Sequence, residues 1–314
     1  MRLPPRLVVL LTLPPLLWAA NAIVGRLMVG QVPPVTLNAL RWILVAVLLL
    51  PLGWRALATA GARRAVRARW RELAWLGLLG MGCFNTLQYT ALTTSTPLNV
   101  TLIAASTPVW MLAVGALAYR EPVTRRALAG ALLSLAGVAA VLSRGEPARL
   151  VQVQFVAGDL WMLLAVFTWA LYTWRLARPG PLMRADARPA WNWAEFLLVQ
   201  TLFGVAWSAA FAAGELAWAD PAPIAWTWPV VLAVVYVAVG PSIIAYYCWG
   251  RGVAHVGPAV AAFFGNLSPL FAALMQAALL REPPRAYHAL AFALIVGGIV
   301  VSTRRPAAVA AQPR

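Results

Sequence analysis

The stretch "FNTLQYTAL" at 84–92 sets Asn85, Gln88 and Tyr89 at i, i+3 and i+4 within an apolar run. On a helix the three side chains share one face. Amide and phenol groups donate and accept hydrogen bonds without carrying charge. Such a face suits holding a solute rather than breaking a bond. Trp18, Asn21, Ala22 and Gly25 repeat the pattern in another run, Trp169, Tyr172 and Thr173 in a third, and Tyr246, Trp249 and Gly250 in a fourth. Asn99 and Ser106 on one side, and Phe263, Phe264 and Asn266 on the other, are further candidates. Together they describe a wall that is polar at a few points and otherwise aromatic, which fits an amphipathic organic molecule.

Other readings of the same residue types stand beside this one. Asn and Ser in apolar helices also bond neighbouring helices. Trp54, Trp70 and Trp226 sit where interfacial anchors are expected. Arg41 lies within an apolar run near its end, and two readings remain open: its guanidinium snorkels outward, or it attracts an anionic group of a solute. Arg26 has the same two readings. Asp159 opens a run, where a carboxylate suits a helix N-terminus.

Catalytic chemistry finds no support. His255 and His288 fall in different runs with no carboxylate at useful spacing, and no Ser-His-Asp set, HExxH, CxxC or phosphate loop is present. Cys83 and Cys248 are two thiols in separate runs, not a disulfide framework or a metal set. No cofactor and no metal are expected. Asp159 and His255 are the candidates if proton movement is coupled to the cycle.

The elements that must carry these faces follow from composition. Of 314 residues, 62% are hydrophobic and 11% charged, with a mean hydropathy of +0.77. Soluble domains carry about 25% charged residues, so too little polar surface exists here to cover a water-soluble fold, and the bilayer becomes the solvent. A spanning helix needs about 20 apolar residues. Ten runs qualify: 7–25, 35–52, 73–92, 98–118, 127–143, 156–174, 194–213, 229–250, 258–280 and 286–303. "AANA" at 19–22 resembles a signal-peptide cleavage site, but the first run is read as a retained helix.

The net charge of +16 comes entirely from arginine. With the N-terminus in the cytoplasm, only Arg26, Arg41, Arg144, Arg149, Arg281 and Arg285 fall outside or in outer helix ends, which is the positive-inside bias. Both termini are then cytoplasmic. "RRAVRARWR" at 63–71 becomes a cytoplasmic loop meeting anionic headgroups rather than nucleic acid.

"YREP" at 119–122 and "LREP" at 280–283 close two of the runs. A shift of 161 residues superposes Arg120, Glu121 and Pro122 on Arg281, Glu282 and Pro283, Pro97 on Pro258, Pro108 on Pro269 and Gly137 on Gly298. The chain therefore reads as an all-α integral membrane protein of ten helices in two five-helix repeats, 1–147 and 148–314. Five is odd, so the second repeat is inverted and its Arg-Glu-Pro turn lies on the opposite face. Proline stops each helix. Glu121 is expected to pair with Arg120, Arg125 or Arg126, and Glu282 with Arg281 or Arg285, as turn-forming pairs or as gates.

"WAANAIVGR" at 18–26, "ALTTSTPLNVTLIAASTPVWMLAVGALAYREPV" at 91–123 and "VGPAVAAFFGNLSPLFAALMQAALLREPP" at 256–284 resemble the drug/metabolite transporter superfamily, EamA type. The resemblance covers nearly the whole chain. It implies an inner-membrane carrier, often an exporter, of amino acids or related small metabolites, with a cavity between the halves. It departs in the Arg-rich turn at 121–126 and the longer loop at 175–195. The expected partners are a small-molecule solute and membrane lipids, with no nucleic acid, and the working unit is a monomer or homodimer. A non-transporting scaffold or sensor, and a membrane transferase acting on lipid-linked substrates, are the alternatives; the transferase needs a polar catalytic cluster that the sequence lacks.

Cysteines placed at 120 and at 281 should label from opposite sides of the membrane with an impermeant maleimide. Labelling from the same side would end the inverted-repeat reading.

Overall fold

The computed structural model describes residues 4–95, 97–146, 148–151, 155–184, 187–219, 221–279 and 285–303, without the side chains of 97–99, 101, 149, 151, 276, 279 and 303. Every regular element among them is helical. In chain order the principal helices are α1 (Pro5–Leu27), α2 (Pro34–Gly53), α3 (Trp70–Gly77), α4 (Phe84–Thr94), α5 (Pro97–Ala104), α6 (Thr107–Tyr119), α7 (Arg125–Leu142), α8 (Ala157–Ala177), α9 (Trp193–Ala219), α10 (Trp228–Ala238), α11 (Ala245–Val256), α12 (Pro258–Gly265), α13 (Leu267–Leu279) and α14 (Ala286–Thr303). Short helices at Arg55–Ala58 and Ala60–Ala68 fill the loop after α2.

Eight helical stretches are long and apolar enough to cross a bilayer, and Ala286–Ser302 is a shorter apolar helix. The stretch through α3 and α4 falls outside those eight. Arg71 and Glu72 at its start, and Asn85 and Gln88 further on, dilute its hydropathy. Leu117, Leu160 and Leu232 turn outward, as lipid-facing side chains do.

Several runs that look continuous in sequence are interrupted. Turns of π-helix at Leu78–Cys83 and Val239–Ile244 join α3 to α4 and α10 to α11. They lie 161 residues apart, the shift that superposes the Arg-Glu-Pro turns. Pro241 removes the amide that would bond the Val237 carbonyl, and Ser242 Oγ donates to that carbonyl instead (2.7 Å). α5 ends at Ala104, four residues before Pro108, and α12 ends at Gly265, four before Pro269. Each proline leaves the carbonyl four residues earlier without its helical partner. Thr107 Oγ1 takes up the one on Ala104 (2.5 Å).

Packing directions follow from close approaches. The α2 N-terminus meets Glu215 of α9, and Gly53 at its other end meets Ala194 and Leu198. The two helices are therefore antiparallel. α7 and α14 are antiparallel as well, with Gly130 against Gly298 and Ser302, and Gly137 against Ala291 and Ile295. Small residues let these backbones touch, the usual device for helix association in lipid.

A Cβ at Gly130 meets the Gly298 carbonyl oxygen at 2.7 Å, whereas one at Gly297 meets nothing within 4 Å. Gly130→Val should cost at least about 2 kcal/mol by overpacking, seen as a lower thermal midpoint in detergent. Gly297→Ala, inside a helix and with open space around it, should not lower the midpoint.

Candidate functional site

Trp169 of α8 stands at the centre of an aromatic cluster. Its ring centroid lies 4.9 Å from Phe84, 5.1 Å from Tyr172, 5.2 Å from Trp18, and 5.6 Å from both Tyr246 and Trp249. The tilted and edge-on geometries are the favourable ones for aromatic pairs. The rings come from α1, α4, α8 and α11, so the cluster joins both parts of the chain.

The cluster is pinned to backbone carbonyls of the two π-turns. Tyr246 Oη donates to the Gly80 carbonyl, and Trp18 Nε1 donates to the Pro241 carbonyl (3.1 Å). Residues 80 and 241 correspond under the 161-residue shift. Asn38 Nδ2 serves the Met81 carbonyl (2.8 Å). A buried carbonyl without a partner is costly, and here donors from across the molecule supply it.

Against the cluster lies a cavity of about 110 Å³. Trp18, Asn21, Asn85, Gln88, Trp169 and Trp249 line it, all expected from the sequence. Phe84, Met162, Thr107, Ser268 and Pro269 line it too and were not singled out. Thr107 and Ser268 sit beside the helix breaks, where prolines interrupt the apolar runs; that adjacency is the signal available in sequence.

The other expected residues stand behind the wall. Tyr89 Oη donates to Asn21 Oδ1 (3.0 Å), and Tyr172 Oη donates to Gln200 Oε1 (3.1 Å). Phe264 is buried in apolar packing. Asn266 Nδ2 donates to Ser134 Oγ (2.9 Å), a bond between helices, and Ser106 Oγ returns to the Ile103 carbonyl of its own helix turn (2.6 Å). The side chain of Asn99, and Arg281 and Glu282, lie outside the described residues.

Arg41 differs from the snorkelling reading. It is fully buried and turned inward, donating from Nε to Ser242 Oγ and from Nη1 to Asn85 Oδ1 (2.8 Å) and Tyr89 Oη (3.1 Å). Neighbours at helical spacing on α4 offer it acceptors that the lipid surface does not. Arg26 bonds the Leu92 carbonyl (2.9 Å). Asp159 caps its own helix through the Val156 amide (2.9 Å) and accepts from Ser95 Oγ.

Glu121 also finds a different partner from those expected. It pairs with Arg178 beyond the end of α8, while Arg120 takes a left-handed backbone (φ 55°) that ends α6. Glu72 pairs with Arg175 (3.2 Å), Tyr119 stacks on Trp174 at 5.0 Å, and Trp174 Nε1 donates to the Met111 carbonyl (2.8 Å). Arg69, within the basic stretch, bonds the carbonyls of Leu182 (2.9 Å) and Ala187 (2.6 Å). These contacts close one end of the bundle. Partly exposed ion pairs contribute about 0–1 kcal/mol each, so the aromatic stack and the buried indole bond hold this closure more firmly than the charges.

The profile of the EamA-like transporter family matches residues 6–143 and again 156–304. The chain belongs to that family. An uncharacterized transporter of Archaeoglobus fulgidus is 25% identical, covering 94% of this chain and 96% of its own length. The uncharacterized transporter YetK of Bacillus subtilis is also 25% identical, over 90% and 82%. The aromatic amino acid exporter YddG of Ancylobacter novellus is 26% identical, over 92% and 93%. A protein of known crystal structure shares the fold, with a TM-score of 0.72 at 24% identity over 96% of this chain and 99% of that one. The first three relatives are named as transporters or an exporter, not enzymes, and the chain is a multi-pass membrane protein.

Tyr246→Phe should orphan the Gly80 carbonyl and cost about 1–3 kcal/mol, read as a drop in thermal midpoint. Tyr247→Phe is the control, because the Tyr247 ring packs on Trp193 and its hydroxyl bonds no described residue.

Proposed function

We propose that this chain is an inner-membrane carrier that exports amino acids or related small metabolites by alternating access. Its two halves, 1–147 and 148–314, would be inverted five-helix repeats, with both termini cytoplasmic. Several observations support the repeat. The family profile matches twice. The π-turns and the Arg-Glu-Pro turns share one shift. Helices at equivalent places in the two halves, α2 with α9 and α7 with α14, run antiparallel, as inversion requires. The ten-span count adds the α3–α4 stretch and α14 to the eight spans long and apolar enough by themselves.

The observation that carries the transport reading is the cavity itself. Asn21, Asn85 and Gln88 line a space walled by Trp18, Trp169 and Trp249 from both halves. At about 110 Å³ it is well below the roughly 300 Å³ of a small ligand site. The solute therefore enters as the halves separate, and the state seen here is contracted around the site. Tryptophan faces suit an aromatic or otherwise apolar side chain, and the amides suit the polar end. A relative named as an aromatic amino acid exporter is consistent with that chemistry.

Gln88 lines the cavity and makes no hydrogen bond to a described residue. Gln88→Leu should lower L-phenylalanine flux in proteoliposomes about tenfold through loss of one solute hydrogen bond, with the thermal midpoint unchanged. Unaltered flux removes Gln88 from the pathway. Absence of flux for a broad panel of amino acids, nucleosides and cationic drugs removes the carrier assignment itself.

A further inference from the structure

Arg41 is fully buried, and among the described residues it forms no ion pair. Its partners, Ser242, Asn85 and Tyr89, are neutral, and its guanidinium carbon lies 5.2 Å from the Trp42 ring. The carboxylates of Glu215 and Asp159 are committed elsewhere. Glu215 accepts from the Val35 and Thr36 amides and from Thr36 Oγ1, and Asp159 accepts from Ser95 and the Val156 amide. A buried cation without a counter-charge is unfavourable. Neutral acceptors offset part of that cost and leave a positive potential in the surrounding low dielectric.

That potential reaches the cavity through two amides. A guanidinium has donors and no acceptor, so Asn85 must turn Oδ1 toward Arg41 and Nδ2 away from it. Asn85 is 2% exposed and lines the cavity; its Nδ2 is itself buried, makes no hydrogen bond of good geometry, and has the Tyr246 hydroxyl for its neighbour. The second route runs through Tyr89. Its oxygen accepts from Arg41, and its hydroxyl proton goes to Asn21 Oδ1. Asn21, also 2% exposed and also in the cavity wall, is left with Nδ2 free of any described partner. Both amides thus spend their acceptor oxygens on the Arg41 network, which leaves only N–H groups to offer a solute. An unmatched buried donor of this kind is costly until an acceptor arrives.

We infer that the solute carries a carboxylate that accepts hydrogen bonds from Asn21 Nδ2 and Asn85 Nδ2, and that Arg41 is the positioning residue that turns both amides and sets the charge preference. The inference rests on the solute-cavity reading above and names which end of the solute those residues hold. It predicts selection by charge. Zwitterions and anions with an aromatic tail fit the donors, and the matching amine, which lacks an acceptor and carries positive charge, does not.

Three compounds of one shape separate these cases: L-phenylalanine, 3-phenylpropionate and 2-phenylethylamine. Binding to the purified full chain is measured by calorimetry, and uptake by counterflow in proteoliposomes. L-Phenylalanine and 3-phenylpropionate should each bind at least about tenfold more tightly than 2-phenylethylamine. Arg41→Gln keeps donors but removes charge, so it should close most of that gap, whereas Arg41→Lys should keep it. Equal or tighter binding of 2-phenylethylamine overturns the inference while the cavity stays a solute site. No binding of any of the three overturns the solute-cavity reading and the inference with it. A folded Arg41→Gln that retains the full preference overturns the role given to Arg41. Should Arg41→Gln fail to fold, the ranking of the three compounds on the unaltered protein decides.

Discussion

The constraint that organises this molecule is that a backbone carbonyl freed inside an apolar bundle must find a donor. In the two π-turns the carbonyls of Gly80 and Pro241 accept from side chains of the other part of the chain, Tyr246 and Trp18. Those aromatic side chains are thereby fixed at both ends, by the hydrogen bond and by the rings around Trp169. Gly80 has no side chain because Tyr172 occupies the place a Cβ would take, 2.5 Å from the nearest ring atom. The same constraint explains Ser242, which serves the carbonyl orphaned by Pro241 and also accepts from Arg41. One hydroxyl so links a helix irregularity to the buried charge.

Much of the helical plan was legible in the sequence, because length and hydropathy alone reveal most apolar spans. The offset of 161 was visible in prolines and in the Arg-Glu-Pro turns, since those residues have strong local backbone effects. The π-turns were not visible. A π-turn depends on one extra residue being absorbed within a helix, and Leu78–Cys83 reads simply as apolar. Helix breaks at Ala104 and Gly265 were within reach, four residues before a proline, but the runs were read as continuous.

Within the cavity, face periodicity found Asn85 and Gln88 by their spacing on α4, and Asn21 by its spacing from Trp18 on α1. It misjudged depth. Tyr89 and Tyr246 share a face with lining residues, yet their length carries the hydroxyl past the wall to partners behind it. Arg41 shows the same limit from the other side. Its distance from the end of its run allowed an outward path, and only the placement of Asn85 and Tyr89 on α4 and of Ser242 on the second π-turn decides that it turns inward. Ion pairing was the least legible feature. Neighbours in sequence were the natural partners for Glu121, but Arg178 reaches it from the end of α8.

A carrier needs contacts that persist and contacts that exchange as it works. The α7–α14 pair meets through glycine backbones with no long side chains to rearrange, which suits a pivot. The end closed by Tyr119, Trp174, Glu72 and Glu121 has the opposite character. Its bonds run between the halves and involve side chains at helix ends. Their counterparts under a shift of 161 are only partly the same residues: Glu121 has Glu282 as its mate, but position 233, the mate of Glu72, is alanine. The two ends of the bundle therefore close with different chemistry, and the equilibrium between their closed forms has no reason to be balanced. A solute that neutralises the charge near Arg41 shifts that equilibrium only by its differential affinity for the two forms. The geometry of Asn21 and Asn85 around it is where that difference must arise, because those amides sit on α1 and α4 while Trp169 and Trp249 sit on α8 and α11 across the cavity.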